Sequence, residues 1–185
     1  MTETHRTLEL MERLVRLVGQ TGHAHGMKPA QWDALRYLAR ANRFSRTPGA
    51  LTAYLGATKG TVSQTVIALE RAGLVEKSPH PGDRRSVRLE LTPAGHVMLD
   101  GDRIETLRRA LARLAPARAA ALGDSLQALL AGLIADGGGR PFGLCRACRH
   151  FGKDEHGPGL HLCRLLDESL SDAESGQICV EQEAA

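Results

Sequence analysis

Apolar residues recur at three- and four-residue spacing through much of the chain before residue 136, a pattern typical of amphipathic helices. The first predicted helix covers residues 7–18, and its apolar face is broader than one neighbouring element would cover. A long fifth helix is predicted to begin after Thr92 and Pro93 and to break or kink at Pro116. A sixth helix follows, with leucines on one face between residues 122 and 133.

Three shorter helices are predicted between these long elements. The second helix begins at Pro29, because proline suits the first helical turn. Thr47 is a hydroxyl cap for a short third helix, and Thr58 caps a fourth helix over about residues 59–72. Glycines at the ends of the third and fourth helices favour tight breaks there.

The pattern then changes to two strands, 74–78 and 87–91, joined by a turn that carries two adjacent arginines. A short helix, a tight break, a polar-faced helix and a hairpin together predict a winged helix-turn-helix, so the fold class is mainly α with a small β wing. The second helix of such a pair can enter a major groove, and hairpin arginines can reach a minor groove or phosphates. The outward positions of the fourth helix are polar: Lys59, Thr61, Ser63, Gln64 and Thr65.

Charge is distributed unevenly along the 185 residues. Residues 28–92 carry 11 Lys and Arg against 5 Asp and Glu, whereas residues 141–185 carry 4 against 8. A basic segment beside an acidic one suggests that the basic part meets a polyanion.

Composition narrows the functional classes further. Aromatic residues are only 3%, which argues against a stacking platform for single-stranded nucleic acid. The longest apolar run is far shorter than the roughly 20 residues of a membrane span, and no secretory signal is visible, so a cytoplasmic protein without a membrane partner is expected. No catalytic nucleophile, base pair or phosphate loop is evident, so we expect no enzyme.

All four cysteines lie in the last 41 residues, behind a glycine-rich linker at 136–141 that separates residues 1–135 from a segment at 142–185. A reducing compartment disfavours structural disulfides, so the thiols indicate a metal site. The candidate ligands are Cys145, Cys148, Cys163 and Cys179, with spacing C-x2-C-x14-C-x15-C. Three histidines nearby (His150, His156 and His161) are expected at the surface or behind the ligands.

Five short stretches resemble the MarR family of bacterial transcriptional regulators, over roughly residues 5–135. They are QWDAL at 31–35, TKGTVSQ at 58–64, LERAGLV at 69–75, DRRSV at 83–87 and LTPAG at 91–95. The resemblance implies a homodimer built from the first and the last two helices, with two recognition helices about one DNA turn apart on a pseudopalindromic operator. This arrangement would account for the broad apolar faces of those helices.

The resemblance also implies roles for individual residues. In the fourth helix, Lys59, Gly60, Thr61, Ser63 and Gln64 would face base edges or phosphates. In the wing, Arg85 would enter the minor groove, Asp83 would orient it, and Arg84 would contact phosphate.

MarR-like proteins do not generally carry the cysteine segment, which resembles instead the small segments that hold [4Fe–4S] clusters beside some glycyl-radical enzymes. The shared pattern is a C-x-x-C-x-x-F stretch, a glycine-rich stretch and two single cysteines. The common structural zinc pattern has two C-x-x-C pairs, and this segment has one. An iron–sulfur cluster is therefore our first prediction; zinc, a thiol switch and inert cysteines are the alternatives.

The sequence thus predicts a dimeric DNA-binding repressor whose iron–sulfur centre senses redox state, oxygen, nitric oxide or iron. We expect the signal to act by changing how the tail packs against the dimer helices. One alternative is a MarR-like regulator with a structural zinc and a small-molecule inducer in the dimer cleft. A second alternative is a redox or electron-transfer accessory protein.

Overall fold

A computed structural model describes residues 2–19, 26–80, 83–102 and 104–184. The helices are α1 (Glu3–Gly19), α2 (Pro29–Arg40), α3 (Pro48–Leu55), α4 (Lys59–Arg71), α5 (Pro93–Asp100), α6 (Ile104–Leu111), α7 (Pro116–Gly137) and α8 (Asp172–Ser175). The strands are β1 (Val75–His80), β2 (Asp83–Leu91), β3 (Gly143–Leu144), β4 (Phe151–Gly152), β5 (Leu160–Cys163), β6 (Glu168–Ser171) and β7 (Ile178–Cys179).

The caps expected from the sequence fix the starts of three helices. The side chains of Thr47, Thr58 and Thr92 each accept a hydrogen bond from the backbone amide three residues later, at 3.1 Å. Each cap satisfies one of the amides that a helix start leaves without an intrahelical partner. Gly56 has a φ of 58° in the left-handed region, where a side chain would be strained, and it ends α3.

The main core lies where α2, α3 and α4 meet the base of the β1–β2 hairpin. Trp32, Leu35, Leu51, Leu69 and Leu89 are almost fully buried there. Three helices packed on a two-stranded antiparallel wing form a winged helix-turn-helix, which confirms the predicted fold class.

The predicted long fifth helix is wrong, because the chain breaks it into α5 and α6 around Gly101 and Asp102. Asp102 is buried, and its carboxylate accepts a hydrogen bond from the Ile104 amide at the start of α6. The same carboxylate receives two 2.6 Å hydrogen bonds from Arg36 of α2. The break therefore gives Arg36 a buried partner that a continuous helix would not offer.

The cysteine segment forms two small sheets, β3–β7 and β4–β5–β6, and packs on the connection between α2 and α3. Ile178 of β7 forms a parallel bridge with Ala41 and belongs to the main core. Phe142 packs edge-on against Tyr37 and Tyr54, with ring centroids 6.2 and 5.2 Å away. We expected the segment to pack on the dimer helices; its anchor is instead the helix-turn-helix itself.

The helices α1, α6 and α7 have no buried residue among those the structure describes in them, and their leucines other than the half-buried Leu107 are exposed in the single chain. The 22 residues of α7 are long enough, and at a mean hydropathy of 1.2 apolar enough, to pass for a membrane span by composition alone. Its leucines therefore form an apolar surface that the single chain does not cover.

Candidate DNA-binding face and cysteine site

The amino-terminal half of α4 presents a polar, solvent-exposed surface. Lys59, Gly60, Thr61, Ser63 and Gln64 are all exposed, as the sequence predicted. Val62, Val66 and Leu69 turn the opposite side of α4 into the core, so packing fixes which side faces outward.

Two threonines of α4 differ from the simplest expectation. Thr65 is buried, and its hydroxyl donates to the carbonyl of Thr61, so it is not one of the outward positions. The Thr61 hydroxyl lies 2.9 Å from that of Thr58, the residue that caps the helix. Thr61 is thus held at the first turn of α4, where free amides and the helix dipole favour a phosphate.

The wing is longer than predicted. His80 pairs with Asp83, so the strands extend almost to the end of the hairpin, and the two arginines belong to β2 rather than to an open turn. The side chains of Asp83, Arg84 and Arg85 lie outside the described residues, as do residues 81–82. Their predicted roles on DNA therefore stay predictions.

Contacts at its base hold the wing in place. The Leu89 amide donates to the Arg46 carbonyl at 2.7 Å, and the Arg46 guanidinium pairs with Glu90 at 2.7 Å. Lys77 of β1 pairs with Glu70 of α4, also at 2.7 Å. The wing is thereby fastened both to α4 and to the α2–α3 connection.

The four cysteines line a single cavity, although 34 residues separate the first from the last in sequence. Cys145 and Cys148 flank a 3-10 turn, Cys163 ends β5, and Cys179 ends β7. The other walls are mainly apolar, and they come from both parts of the chain: Asn42, Phe44, His150, Phe151, Leu165, Leu166, Leu170 and Glu181. The structure thus brings all four predicted ligands together.

Hydrogen bonds to sulfur tie the two buried cysteines to their surroundings. Asn42 Nδ2 donates to Cys145 Sγ at 3.2 Å. A hydrogen bond between Cys145 and Cys179 lowers the pKa of Cys179 to about 6 and, together with burial, raises the pKa of Cys145. One thiolate of the pair is therefore favoured near neutral pH, and a thiolate is the form that binds metals.

Four cysteines on one cavity are a ligand set that two kinds of centre use. Tetrahedral structural zinc binds four thiolates with Zn–S bonds of about 2.3 Å, and iron–sulfur clusters are also held by four cysteines. Among the described residues, no group of three or more His, Cys, Asp or Glu side chains has the arrangement of a formed single-ion site.

The three histidines of the segment lie in different surroundings. His161 is buried, its Nδ1 accepts from the Asp154 amide at 3.0 Å, and its Nε2 lies 3.0 Å from Asp172 Oδ1. His150 lies in the cavity wall beside the cysteines, and His156 is exposed.

The residues that the helix-turn-helix contributes to the cysteine site were not predicted from the sequence. Asn42, Phe44 and Arg43 lie about 100 residues before Cys145, in a stretch that appeared to be only a polar break between helices. No local pattern marks them, because their role depends on a long-range contact. Arg43 pairs with Glu174 and donates to the Ser169 carbonyl at 2.6 Å.

The architecture is therefore a winged helix-turn-helix with a cysteine site attached to it. A sequence model of the MarR family matches residues 25–86, from before α2 into β2, and its match ends before the cysteines. No curated protein matches the sequence.

Several solved structures are similar to this chain. A DNA complex of MepR from S. aureus is 18% identical with a TM-score of 0.55 over 71% of this chain and 98% of that one. A MarR/EmrR family transcriptional regulator from Acinetobacter sp. is 22% identical with a TM-score of 0.56, over 71% and 96%. Wild-type MarR from E. coli, in its apo form, is 20% identical with a TM-score of 0.52, over 70% and 97%. At these identities the likeness establishes the MarR-type fold.

Proposed function

We propose that this chain is a homodimeric transcriptional regulator of the cytoplasm that binds double-stranded DNA and acts as a repressor. The observation that carries the proposal is the exposed polar face of α4, held beside a wing that is fastened to the same helix. The MarR family match across this region and the similarity to a MepR–DNA complex support it.

The proposed dimer would cover the apolar faces of α1, α6 and α7. Leu133 and Val15 are 63% and 71% exposed in the single chain. Apolar surface of this extent marks an interface, and a second copy would also supply the second recognition helix.

The proposed DNA binding is tested with the full chain, purified without oxygen, and a random-sequence duplex library. We expect enrichment of a pseudopalindrome, and a binding constant that falls steeply with salt as phosphate contacts release counterions. No enriched motif together with a flat salt dependence would overturn it.

We further propose that Cys145, Cys148, Cys163 and Cys179 hold an iron–sulfur cluster, a [4Fe–4S] centre, through which the protein senses redox state, oxygen, nitric oxide or iron supply. Four cysteines on one cavity support a metal site. Their order in the sequence, one C-x-x-C pair followed by two single cysteines, favours a cluster over the common zinc pattern of two such pairs.

The test is iron, zinc and acid-labile sulfide analysis with a visible spectrum on the anaerobically purified chain. Iron and sulfide in matching amounts are expected, and both should be lost in Cys163→Ser. His156→Ala is the matched control, because His156 is exposed and does not line the cavity. Stoichiometric zinc without sulfide would contradict the proposed cluster and make the cysteines a structural zinc site.

A second candidate is control by a small organic ligand, with zinc at the cysteines. A cleft of about 360 Å³ between α1, α2 and α6 supports it. Its walls combine apolar side chains with charges, among them Leu14, Val18, Trp32, Asp33, Arg36 and Leu107. Inducers of this kind should change DNA affinity equally in wild type and Cys163→Ser.

A further inference from the structure

The connection between α2 and α3, residues 41–47, lies between the cysteine cavity and the DNA-binding elements. One side supplies Asn42 and Phe44 to the cavity wall. The other side binds β2 through Arg46, and its last residue, Thr47, caps α3. An occupant of the cavity therefore contacts the same short segment that positions the helix-turn-helix and the wing.

Asn42 contacts both the cysteine segment and the rest of the α2–α3 connection. It is fully buried, with 0% of its surface exposed. Its side-chain nitrogen donates to Cys145 Sγ at 3.2 Å, and its side-chain oxygen accepts from the Ser45 amide at 2.9 Å. Its own amide donates to the Ile178 carbonyl at 2.9 Å, next to Cys179.

Two neighbours strengthen this attachment. Ser45 Oγ accepts from the Val180 amide at 2.9 Å, and the Ser45 carbonyl accepts from the buried Tyr37 hydroxyl at 2.7 Å. Arg43 pairs with Glu174 and lies 4.4 Å over the Phe44 ring. Consecutive residues of one connection thus hold the cysteine segment against α2.

We propose that Asn42 is a positioning residue that couples occupancy of the cysteine site to the DNA-binding elements, through the α2–α3 connection rather than through the dimer helices. This inference rests on the proposed cluster. A metal-bound sulfur carries negative charge and strengthens the Asn42 hydrogen bond. A filled cavity also leaves the connection fewer alternative arrangements, because Asn42 and Phe44 form part of its wall.

The consequence is a change of mobility that is measurable without DNA. We expect loading to slow amide exchange in residues 42–56, which span the connection and α3, by at least tenfold. Exchange through local opening reports how tightly a segment is held. DNA affinity would follow, because a coupling of about 1.4 kcal/mol is a tenfold change in binding constant.

The experiment compares wild type, Asn42→Ala and Arg43→Gln, each apo and after anaerobic loading with ferrous iron and sulfide. The readouts are bound iron and sulfide per chain, hydrogen exchange by mass spectrometry and the reduction potential of the loaded site. Arg43→Gln, at a half-buried residue, provides a second variant in case Asn42→Ala folds poorly. Arg149→Gln is the matched control, because it removes an ion pair with Glu183 that stays within the cysteine segment.

We expect both test variants to bind iron and sulfide, to lose the slowing of exchange in residues 42–56 and to show less than a twofold difference in DNA affinity between apo and loaded protein. Asn42→Ala should also lower the reduction potential, since hydrogen bonds to ligand sulfur favour the reduced cluster. Arg149→Gln should behave as wild type.

Full protection in Asn42→Ala and Arg43→Gln at wild-type iron content would overturn the coupling while leaving the proposed cluster intact. A wild-type chain that binds no iron and sulfide would overturn the cluster and the coupling together. Protection confined to α1, α6 and α7 would assign the signal to the dimer helices and overturn the Asn42 route.

Discussion

The guanidinium of Arg36 donates two hydrogen bonds of 2.6 Å to the two carboxylate oxygens of Asp102. The pair joins α2 to the break between α5 and α6, and both side chains are largely withdrawn from solvent. It thus fixes the start of α6, one of the helices that would form the dimer, to α2 of the winged helix-turn-helix core.

Replacing Asp102 by alanine should lower the free energy of unfolding by about 3 kcal/mol, because it leaves the Arg36 charge without its buried partner. Urea denaturation of wild type and variant measures the change. Glu105→Ala, which removes an ion pair with Arg108 that solvent screens, is the control and should cost much less than Asp102→Ala. Equal losses in the two variants would contradict a special role for the Asp102 contact.

Acid should weaken the same contact. Burial alone would raise the pKa of Asp102, but the Arg36 hydrogen bonds, the Ile104 amide and the Arg36 charge outweigh burial and hold that pKa below its usual value. A depressed pKa in the folded state contributes stability that is present above the unfolded value, near 3.9, and lost as the pH falls through the folded value. Unfolding measured between pH 6 and pH 2 should show this loss in wild type and not in Asp102→Asn.

Lys59 should contribute to DNA binding chiefly through charge, since it is exposed at the start of α4. Lys59→Ala should reduce the slope of log binding constant against log salt by about 1 in magnitude. Lys153→Ala, an exposed lysine of the cysteine segment, should leave the slope unchanged. An unchanged slope in Lys59→Ala would remove Lys59 from the proposed interface.

The proposed dimer depends on apolar faces, so a charge placed there should dissociate it. Leu133→Glu should shift the mass in solution from dimer to monomer at micromolar concentration, as measured by analytical ultracentrifugation. Val97→Glu is matched in exposure, at 69%, but lies on α5 outside those faces, and it should remain dimeric. Two monomeric variants, or none, would contradict the assigned surface.

Much of the fold follows from local signals in the sequence. Thr47, Thr58 and Thr92 start helices because a side-chain oxygen needs only an amide three residues away, and Val62 and Leu69 point inward because of helical spacing. The break before α6 was missed, since it depends on the pairing of Asp102 with Arg36, 66 residues earlier. The extension of β2 to Asp83 was likewise missed, because residues 80–86 are rich in turn-forming residue types.

The cysteine site, too, could be predicted from the sequence only in part. Its four cysteines were evident from composition and spacing alone. Its remaining walls were not, because Asn42 and Phe44 belong to a polar stretch whose contacts form only when β7 returns to the α2–α3 connection. A local sequence pattern is enough to mark a cysteine as a candidate ligand. A residue such as Asn42, whose role is to contact that cysteine, is recognised only in the folded structure.

The burial of Ile178 limits how the two parts of this protein can be separated. This side chain, one residue before Cys179, belongs to the same core as Trp32, Leu35 and Leu51 of the winged helix-turn-helix. Cutting the chain at the glycine-rich linker would remove the four cysteines and also open the interior of the winged helix-turn-helix. The cysteine segment is in this sense not a detachable module, and chimeras that graft it onto another winged helix would need the matching surface of α2 and α3 as well.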